Sequence, residues 1–396
     1  MMRVHVAGLL SLLIAAQAEA QSGAVIVRAD TVAAGVVHME LADPAGPWRA
    51  HVVRLDLRSS HRLVAVRARD SIHGREQVSS MAARLAAAGG EPLVGLNGDF
   101  FDLVTGENEN NQVMDGLLLK GVRETDSPHD TFDNAHTQFA FGRDGRPFID
   151  RFVLQATAGR PGGREYVLDA INGVPRSGVG LALFDSGRGT APRGDTLRAS
   201  VEVPLVWVVG PDSAARWYIA APPRQIGREA IRPGGGMLAA YGPARARLDS
   251  LLADTGQLIV RRRFTPDRGP LALTMGGWPR VVTDGRSVAA AADSVEGTFP
   301  RFSAQRHPRT ALAMMRDSLT LLLVAVDGRP RESGQSVGMT LTELADFLIG
   351  IGAWQALNLD GGGSTTLWVG NRTVNQPSDT TGERPVGNAL FVLRNR

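Results

Sequence analysis

The sequence contains no cysteine, which excludes disulfide bonds and thiolate chemistry. It contains a single lysine, Lys120, so its other basic side chains are arginine or histidine, and the formal net charge is only +3. The arginines are scattered, with Arg261–Arg263 as the longest run, whereas nucleic-acid binding needs a basic stripe. We therefore expect no nucleic-acid partner. With 396 residues, 43% of them hydrophobic, the chain is long enough to form a stable core without disulfides.

Apolar runs long enough to span a bilayer are also missing from the sequence. The short run Val6–Ala16 follows Arg3 and precedes Ala18-Glu19-Ala20, which has the small-residue pattern of a signal-peptide cleavage site. We expect residues 1–20 to be a secretory signal peptide. The mature protein is then secreted or periplasmic, without a membrane span.

Hydrophobic periodicity predicts both strands and helices. Val52–Leu57 and Leu63–Val66 alternate with period two and are predicted to be paired strands. Val78–Ala88 is predicted to be a helix that stops at two glycines. The stretch from about 150 to 267 mixes strand-like and helical pieces, and we interpret it as continuous with the rest of the domain.

The last third of the chain predicts a strand–helix–strand unit. Leu319–Val326 is an apolar strand, and Thr340 and Glu343 have the spacing of a capping box at a helix start. Ala356–Leu359 is the next strand. The expected class is α+β, with a mixed, twisted β-sheet core, flanking helices and a single domain.

The segment Leu357–Val369, LNLDGGGSTTLWV, is the most informative for function. Asp360 ends a strand and is followed by three glycines and Ser364. Consecutive glycines allow backbone N–H groups to converge on an anion, which would place Asp360 beside an anion-sized hollow. The alternative is a tight glycine turn that Asp360 caps.

Other polar segments carry further candidates. Arg309, in the segment RHPRTA, is suited to hold a phosphate through two hydrogen bonds or to form a structural salt bridge. Asn97 and Asp99 lie in GLNGDFFD, and Asn172 lies in INGVPR. Taken singly, these Asn, Asp and Gly residues are ordinary turn formers.

Together, and in this order, the segments resemble the phosphodiester glycosidase family. The specific parts are LDGGGS and HPRTA, supported by GLNGDFFD, INGVPR, PGGGM, MGGWPRVV, VDGR, VGMTLTELADFL and ERPVGNALFV. The resemblance runs from about Val53 to the C-terminus. It implies a catalytic domain over residues 51–396, preceded by an N-terminal segment over 21–50. Asp99 departs from the NGGFF pattern of many relatives, which would change one wall of the pocket.

The resemblance implies hydrolysis of a phosphorylated glycan or glycosyl phosphodiester, such as a GlcNAc-1-phosphodiester, at the anomeric carbon. Asp360, Arg309 and Asn97 are then the catalytic candidates, with Asp360 as nucleophile or as base for water. The expected substrate-binding residues are Asp99, Asn172, Gly361, Gly362, Gly363, Ser364, Asp327 of the VDGR segment and Arg384 of the last motif.

A serine hydrolase and a metal site are alternative interpretations. Gly334–Gly338 matches G-x-S-x-G, but the preceding strand ends about ten residues too early and no histidine follows. Two loops are rich in metal-ligand residue types: Asp126, His129, Asp130, Asp133 and His136 in one, and Glu107, Asn108, Glu109 and Asn110 in the other. We interpret them as solvated loops, and a divalent cation such as calcium is the alternative cofactor that they suggest.

Two further functions stay open at this stage. One is a glycosidase acting on glycans without phosphate. The other is a non-catalytic glycan-binding protein of the cell envelope, for which exposed aromatic side chains would form a sugar platform. Trp278 and Trp368 lie near the glycine motifs and are the candidates for that platform.

Overall fold

The structure is a computed structural model. It describes residues 24–125, 127–175, 178–189, 193, 200–209, 214–225, 227, 230–253, 256–329 and 336–395. The expected signal peptide and Asp126 lie outside these residues. No helix in the described part is long and apolar enough to cross a membrane.

Strands dominate the described part of the chain. The first thirteen are Val25–Ala33 (β1), Val36–Asp43 (β2), Trp48–Asp56 (β3), Arg62–Arg67 (β4), Pro92–Asn97 (β5), Gln112–Met114 (β6), Leu117–Val122 (β7), Gln138–Gly142 (β8), Pro147–Asp150 (β9), Val153–Gly159 (β10), Glu165–Leu168 (β11), Ala170–Ile171 (β12) and Gly180–Asp185 (β13). The next fourteen are Ser200–Val209 (β14), Ala214–Ile219 (β15), Arg224–Gln225 (β16), Gly235–Tyr241 (β17), Gln257–Thr265 (β18), Leu271–Gly276 (β19), Arg280–Thr283 (β20), Arg286–Ser287 (β21), Arg309–Met315 (β22), Thr320–Val326 (β23), Ala353–Leu359 (β24), Leu367–Val369 (β25), Arg372–Thr373 (β26) and Asn388–Leu393 (β27). The α-helices are Val78–Ala87 (α1), Arg245–Leu252 (α2), Ala292–Val295 (α3), Pro300–Ser303 (α4) and Leu341–Gly350 (α5).

An eight-stranded sheet in the order β1-β2-β3-β23-β22-β24-β20-β21 lies at the centre. Its strand β23 is buried at every position. Leu322 and Val324 point to one face, where they pack with helix α5, and Leu321 and Leu323 point to the other. This alternation follows from the period of two in a strand, so one strand contributes to two hydrophobic cores.

A five-stranded sheet, β26-β25-β5-β27-β4, packs on the face of the central sheet opposite α5. Its far face is covered by helix α1, through contacts between Met81 and Ala82 on the helix and Phe391 on the sheet. The layers are therefore helix, sheet, sheet and helix. The ends of β5 and β24, from adjacent sheets, meet at one edge of this stack.

A second large sheet, β11-β10-β18-β15-β14-β17-β13-β12-β7-β6, is covered by helix α2 through Leu248 and Leu251. Strand β16 pairs with β14, and β19-β8-β9 form a small fourth sheet beside it. The α+β class and the sheet core with flanking helices are confirmed.

The element predictions were accurate for local structure and wrong for one pairing. The helix at Val78–Ala87 and the capping box of Thr340 and Glu343 are confirmed. Strands β3 and β4 form, but β3 pairs with β2 and β23, whereas β4 pairs with β27. The predicted pairing of Val52–Leu57 with Leu63–Val66 was therefore wrong. The expected boundary at residue 50 falls inside β3, because β1 and β2 extend the central sheet.

Candidate functional site

The site is built where β5 and β24 end side by side. The backbone N–H of Asp360, directly after β24, donates to the Gly98 carbonyl (3.0 Å). Asn97, the last residue of β5, donates from Nδ2 to the Asp360 carbonyl (2.6 Å). These two bonds hold Asp360 against the loop that starts at Gly98.

Asn97 is fully buried and its amide is saturated by protein groups. Its Oδ1 accepts from the Thr310 hydroxyl (2.9 Å) and from the Thr366 N–H (2.9 Å). The side chain thus ties three strand ends together. Asn97 was predicted to belong to the same site as Asp360, and it does lie beside Asp360. Its hydrogen bond to the Asp360 carbonyl positions the backbone of that residue.

The carboxyl group of Asp360 is half-buried, and burial raises its pKa to about 6. The Ser364 hydroxyl, the charge of Arg384, the Gly361 N–H and the charge of Arg329 act in the opposite direction and lower this pKa. Ser364 is fully buried, and its Oγ forms no hydrogen bond of normal length and angle with any described residue. Its hydroxyl is therefore available to the carboxylate. Asp360 is charged at neutral pH and titrates just below it.

The three glycines do not form the predicted nest. The Gly362 N–H donates to the Pro308 carbonyl (2.9 Å) instead of pointing into an open hollow. A Cβ on Gly362, whose φ is +59°, would lie 2.9 Å from Arg329 Nη2, and a Cβ on Gly363 would overlap the guanidinium of Arg384. The glycines therefore serve the close approach of two arginines to the turn.

Arg384 and Arg329 flank the turn on its two sides. Arg384 is held by two hydrogen bonds to Asp379, at 2.7 and 3.0 Å. Arg329 is exposed and, among the described residues, forms no hydrogen bond or ion pair. Arg384 was predicted from the sequence as a substrate-binding residue, whereas Arg329 was not, although it ends the VDGR segment.

Arg309 is placed differently from the expectation of a phosphate clamp. It is 1% exposed, and donates from Nε to the Met339 carbonyl (2.8 Å) and from Nη2 to those of Phe302 (2.7 Å) and Gln305 (3.1 Å). Burial and the charge of Arg329 lower its pKa to about 9. Because its guanidinium donates to three backbone carbonyls, Arg309 stabilises the backbone near the glycine turn. Arg329 and Arg384 lie closer to the turn and are better placed to bind an anion.

Asp99 lies next to Asp360 and is 1% exposed. Burial raises its pKa to about 7, against the effect of the Asn110 hydrogen bonds and of the Lys120 charge, while Asp360 raises it further. Asn110 donates from its backbone N (3.1 Å) and from Nδ2 (2.7 Å). A Cβ on Gly276 would overlap the Asp99 carboxyl group, so this glycine makes room for the acid.

A cavity of about 370 Å³ opens at the loop that carries Glu107, Asn108 and Glu109. It is lined by Asp102, Thr105, Glu107, Asn108, Glu109, Lys120, Ser127 and Pro128. Glu109 is 5% exposed, and burial together with the charges of Asp99 and Asp360 raises its pKa well above the usual range, although Ser127 lowers it. The sequence analysis considered Glu109 only as a metal ligand.

Glu107, two residues away, has the opposite environment. It accepts from Lys120 (2.9 Å), Arg188 (3.0 Å) and His73 (2.6 Å). Burial alone would raise the pKa of Glu107, but Lys120, Arg188 and His73 hold it well below its usual range. The side chain is thus engaged by three basic residues.

The predicted metal loops do not bring their ligands together within the described residues. No three His, Asp or Glu side chains in that part of the chain converge as a metal site would need. His136 Nε2 instead pairs with Asp130 (2.8 Å), and Asp126 lies outside the described residues. Calcium stays the alternative that the sequence suggested for these loops.

Two other predicted residues lie outside this cluster. Asn172 has a φ of +52° and donates from Nδ2 to Asp185 (2.7 Å) and to the Leu119 carbonyl (2.9 Å). Its own carbonyl accepts from Arg188, so it supports the Glu107 ion cluster. Asp327 accepts from the Gln376 N–H (2.8 Å) and lines a separate cavity of about 210 Å³.

The geometry of the described residues supports neither the serine-hydrolase site nor the aromatic sugar platform. The Ser336 hydroxyl, at the centre of the G-x-S-x-G segment, donates to the Asp327 carbonyl (2.6 Å) and accepts from the Arg49 N–H (3.0 Å). It is therefore tied to backbone, and residues 330–335 lie outside the described part. Trp278 and Trp368 are 2% and 7% exposed, so neither offers a sugar platform.

The structure thus brings together one compact group from the predicted set. Its members are Asn97, Asp99, Asp360, Gly361, Gly362, Gly363, Ser364 and Arg384. Arg329 and Lys120 join them without having been predicted as functional residues, and Glu109, which was considered only as a metal ligand, joins them as well. The single lysine in an arginine-rich chain was the one sequence signal that pointed to Lys120.

Comparison with known proteins gives the same family as the motifs. The sequence profile described as phosphodiester glycosidase matches residues 220–393. Bovine (Bos taurus) N-acetylglucosamine-1-phosphodiester alpha-N-acetylglucosaminidase is 37% identical over 83 residues, which are 21% of this chain and 15% of the bovine protein.

Two solved structures share the fold. A hypothetical protein from Synechocystis has a TM-score of 0.71 at 22% identity, over 93% of this chain and 64% of that one. A protein of Burkholderia pseudomallei, provisionally named as an exported protein, has a TM-score of 0.64 at 24% identity, over 87% of this chain and 74% of that one. Residues 220–393 thus match the phosphodiester glycosidase family, and the motifs around Asp360 resemble that family as well.

Proposed function

We propose that the protein is an exported hydrolase that cleaves the anomeric sugar–phosphate bond of a glycosyl phosphodiester. The observation that carries this proposal is the position of Asp360 at the glycine turn. One carboxylate and two flanking guanidinium groups, Arg329 and Arg384, are what a sugar linked to a phosphate requires. The match of residues 220–393 to the phosphodiester glycosidase family points to the same reaction class.

The arginines would neutralise the phosphate. Arg329 has its guanidinium free among the described residues, and Arg384 is oriented by Asp379. Guanidinium groups bind phosphate oxygens through charge-assisted, paired hydrogen bonds. The released phosphate monoester has a second pKa of about 6, so it is a good leaving group, and charge neutralisation is the main demand.

Asp360 would support the oxocarbenium-like transition state at the anomeric carbon. With a pKa of about 6 it is mostly ionised at neutral pH, yet basic enough to take a proton from water or to attack the carbon itself. Asn97 fixes its backbone and Ser364 offers a hydrogen bond, so the carboxylate is held in place before the substrate binds.

The proposal is tested by release of free sugar from a panel of substrates. The panel contains GlcNAc-1-phosphodiesters, nucleotide sugars and p-nitrophenyl glycosides, each assayed with and without a chelator. Asp360→Asn should lower turnover of the phosphodiesters by about 10²–10⁴-fold. Asp115→Asn is the matched control, because Asp115 is exposed in a turn with positive φ, where asparagine is well tolerated.

Each outcome has a defined meaning. Phosphodiester turnover that survives Asp360→Asn would remove Asp360 from the mechanism. Turnover of the p-nitrophenyl glycosides alone would favour a glycosidase on glycans without phosphate. Sugar binding without any turnover would favour the glycan-binding alternative. Loss of activity on chelation, restored by calcium, would establish a metal requirement.

A further inference from the structure

The second large sheet has one face that is covered by helix α2 and an opposite face that is open at strands β15 and β18. Trp217 of β15, and Leu258 and Val260 of β18, point to the core under α2. The residues between them point the other way, because side chains alternate along a strand. Four exposed side chains on that side form a surface that we name the arginine face: Arg216, Tyr218, Arg261 and Arg263.

Strand pairing brings the three arginines of this face close together. Arg261 and Arg263 lie two positions apart on β18, which is about 7 Å along a strand. Arg216 on β15 lies opposite Ile259, so it is a diagonal neighbour of Arg261 at a typical separation of about 7–8 Å. Arg216 is distant from the other two in sequence, so the cluster exists only because β15 and β18 are paired.

The arginine face carries little negative charge. Glu165 is the only acidic residue in the four strands β10, β11, β15 and β18. It pairs with Arg261 and accepts a hydrogen bond from the Thr157 hydroxyl (2.6 Å). Arg216 and Arg263 form no ion pair or hydrogen bond with any described residue. Like charges at this separation destabilise a sheet, and an anionic partner would relieve their repulsion.

Exposed apolar side chains lie beside the arginines. Tyr218 is 46% exposed and lies opposite Val206 of β14, which is 48% exposed. Guanidinium groups bind phosphate oxygens, and a tyrosine ring offers an apolar surface with a polar tip. Single-stranded nucleic acids bind through several aromatic rings on which successive bases stack. The arginine face has one such ring, since Tyr166 and Phe264 pack on the α2 side, so a chain of sugars and phosphates fits it better than a nucleic acid.

Resting on the proposed function, we propose that the arginine face is a non-catalytic binding site for an anionic glycan polymer whose sugars are joined by phosphodiester bonds. The arginines bind phosphates of the polymer, and Tyr218 packs against a sugar ring between them. The face belongs to the second large sheet, whereas Asp360 follows β24 of the central sheet. A small glycosyl phosphodiester therefore needs only the Asp360 site, and a polymer uses both surfaces.

The test is calorimetric titration of the full chain with a linear polymer of N-acetylhexosamine 1-phosphate units. The wild type should bind it, and more weakly as the salt concentration rises. The double variant Arg216→Gln/Arg263→Gln should weaken binding by at least about tenfold, because a hydrogen bond to a charged group contributes about a factor of ten. Arg286→Gln/Arg372→Gln makes the same charge change at exposed arginines in strands of the other sheets, and should retain wild-type affinity.

Two further measurements separate the ring from the charges and binding from catalysis. Tyr218→Ala should weaken polymer binding, and Tyr218→Phe should restore it, because the contact uses the ring face. In Arg216→Gln/Arg263→Gln, kcat/KM should fall for the polymer and stay unchanged for a small phosphodiester that the wild type cleaves. Equal denaturation curves, monitored by circular dichroism, verify that these exposed substitutions leave the fold intact.

The outcomes separate the two proposals. No binding of the polymer, or equal binding by the two double variants, would overturn the role of the arginine face alone. Tighter binding of single-stranded DNA with the same number of phosphates would assign the face to a nucleic acid and overturn the glycan partner. A dimer that Arg216→Gln/Arg263→Gln dissociates in size-exclusion chromatography would assign the face to a second copy of the chain. Polymer binding that depends on the face, without turnover of any phosphodiester, would support this site and overturn the proposed function.

Discussion

Residues of the glycine turn have a physical role different from the one their pattern predicts. Three glycines after an aspartate indicate an anion nest made of backbone amides. In the structure the Gly362 amide is occupied by Pro308, and the missing side chains make space for Arg329 and Arg384. The turn would still be suited to bind an anion, but through the guanidinium groups of Arg329 and Arg384 and not through backbone amides.

Gly363→Ala should test this interpretation at the level of a single methyl group. The new Cβ would overlap the Arg384 guanidinium, so either the Arg384–Asp379 pair or the turn must shift. We expect kcat/KM for a phosphodiester to fall by at least about tenfold, an effect of about 1.4 kcal/mol on the transition state.

Gly256→Ala is the control for this change, since a Cβ at Gly256 would meet nothing within 4 Å. It should leave kcat/KM unchanged. Full activity in Gly363→Ala would mean that Arg384 does not need its present position.

At the scale of single elements, local sequence signals predicted structure well. Helix α5 begins at a capping box, in which Thr340 Oγ1 accepts from the Glu343 N–H (3.1 Å) and Glu343 accepts from the Thr340 N–H (2.9 Å). Leu344, Ala345 and Leu348 then pack against the central sheet. The cap acts through neighbours in sequence, which is why spacing alone revealed it.

Thr340→Ala should lower the free energy of unfolding by about 1 kcal/mol, because one N-terminal donor of α5 loses its acceptor. Chemical denaturation monitored by circular dichroism measures this change. Thr342→Ala, at an exposed position of the same helix, is the control and should be neutral or slightly stabilising. Equal destabilisation by the two variants would rule out a specific contribution of the cap.

Strand pairing was beyond the reach of the same reasoning. The period-two patterns of β3 and β4 are correct, yet the two strands lie in different sheets. The alternation of hydrophobic and polar residues indicates which face of a strand is buried, but it does not indicate which strand lies beside it. The partners of β3 are β2, adjacent in sequence, and β23, more than 260 residues away.

At the scale of the whole molecule, the Glu107 cluster connects distant parts of the chain. Glu107 contacts Lys120 on β7, Arg188 in the segment after β13 and His73 just before helix α1. Both β7 and β13 belong to the second large sheet. A buried ion cluster contributes little net stability when complete, but removal of one member leaves uncompensated charge. Glu107 neutralises two cations whose side chains are 1% and 2% exposed.

Glu107→Gln should therefore lower the free energy of unfolding by about 3–5 kcal/mol at neutral pH. The folded-state pKa of Glu107 is depressed below 4.5, so its contribution is present above pH 4.5 and is lost as the pH falls through the folded pKa. The gap between wild type and variant should thus narrow on acidification.

Denaturant titrations from pH 3 to 7 measure this gap. The exposed Glu91→Gln change should cost less than about 1 kcal/mol at every pH, as for a surface ion pair. A gap that stayed constant over the whole range would contradict the ionised state of Glu107 in the folded protein.

The sequence by itself determined the composition-based exclusions, the α+β class, several element boundaries, the resemblance to the phosphodiester glycosidase family and the position of Asp360 at a strand end. These depend on local patterns or on motifs that can be read along the chain. Only the tertiary structure decided the surroundings of Arg309, Arg329 and Glu107. A guanidinium or carboxyl group is identical in the sequence wherever it occurs, and its burial and partners, supplied by residues far away in the chain, determine its charge and what it can bind.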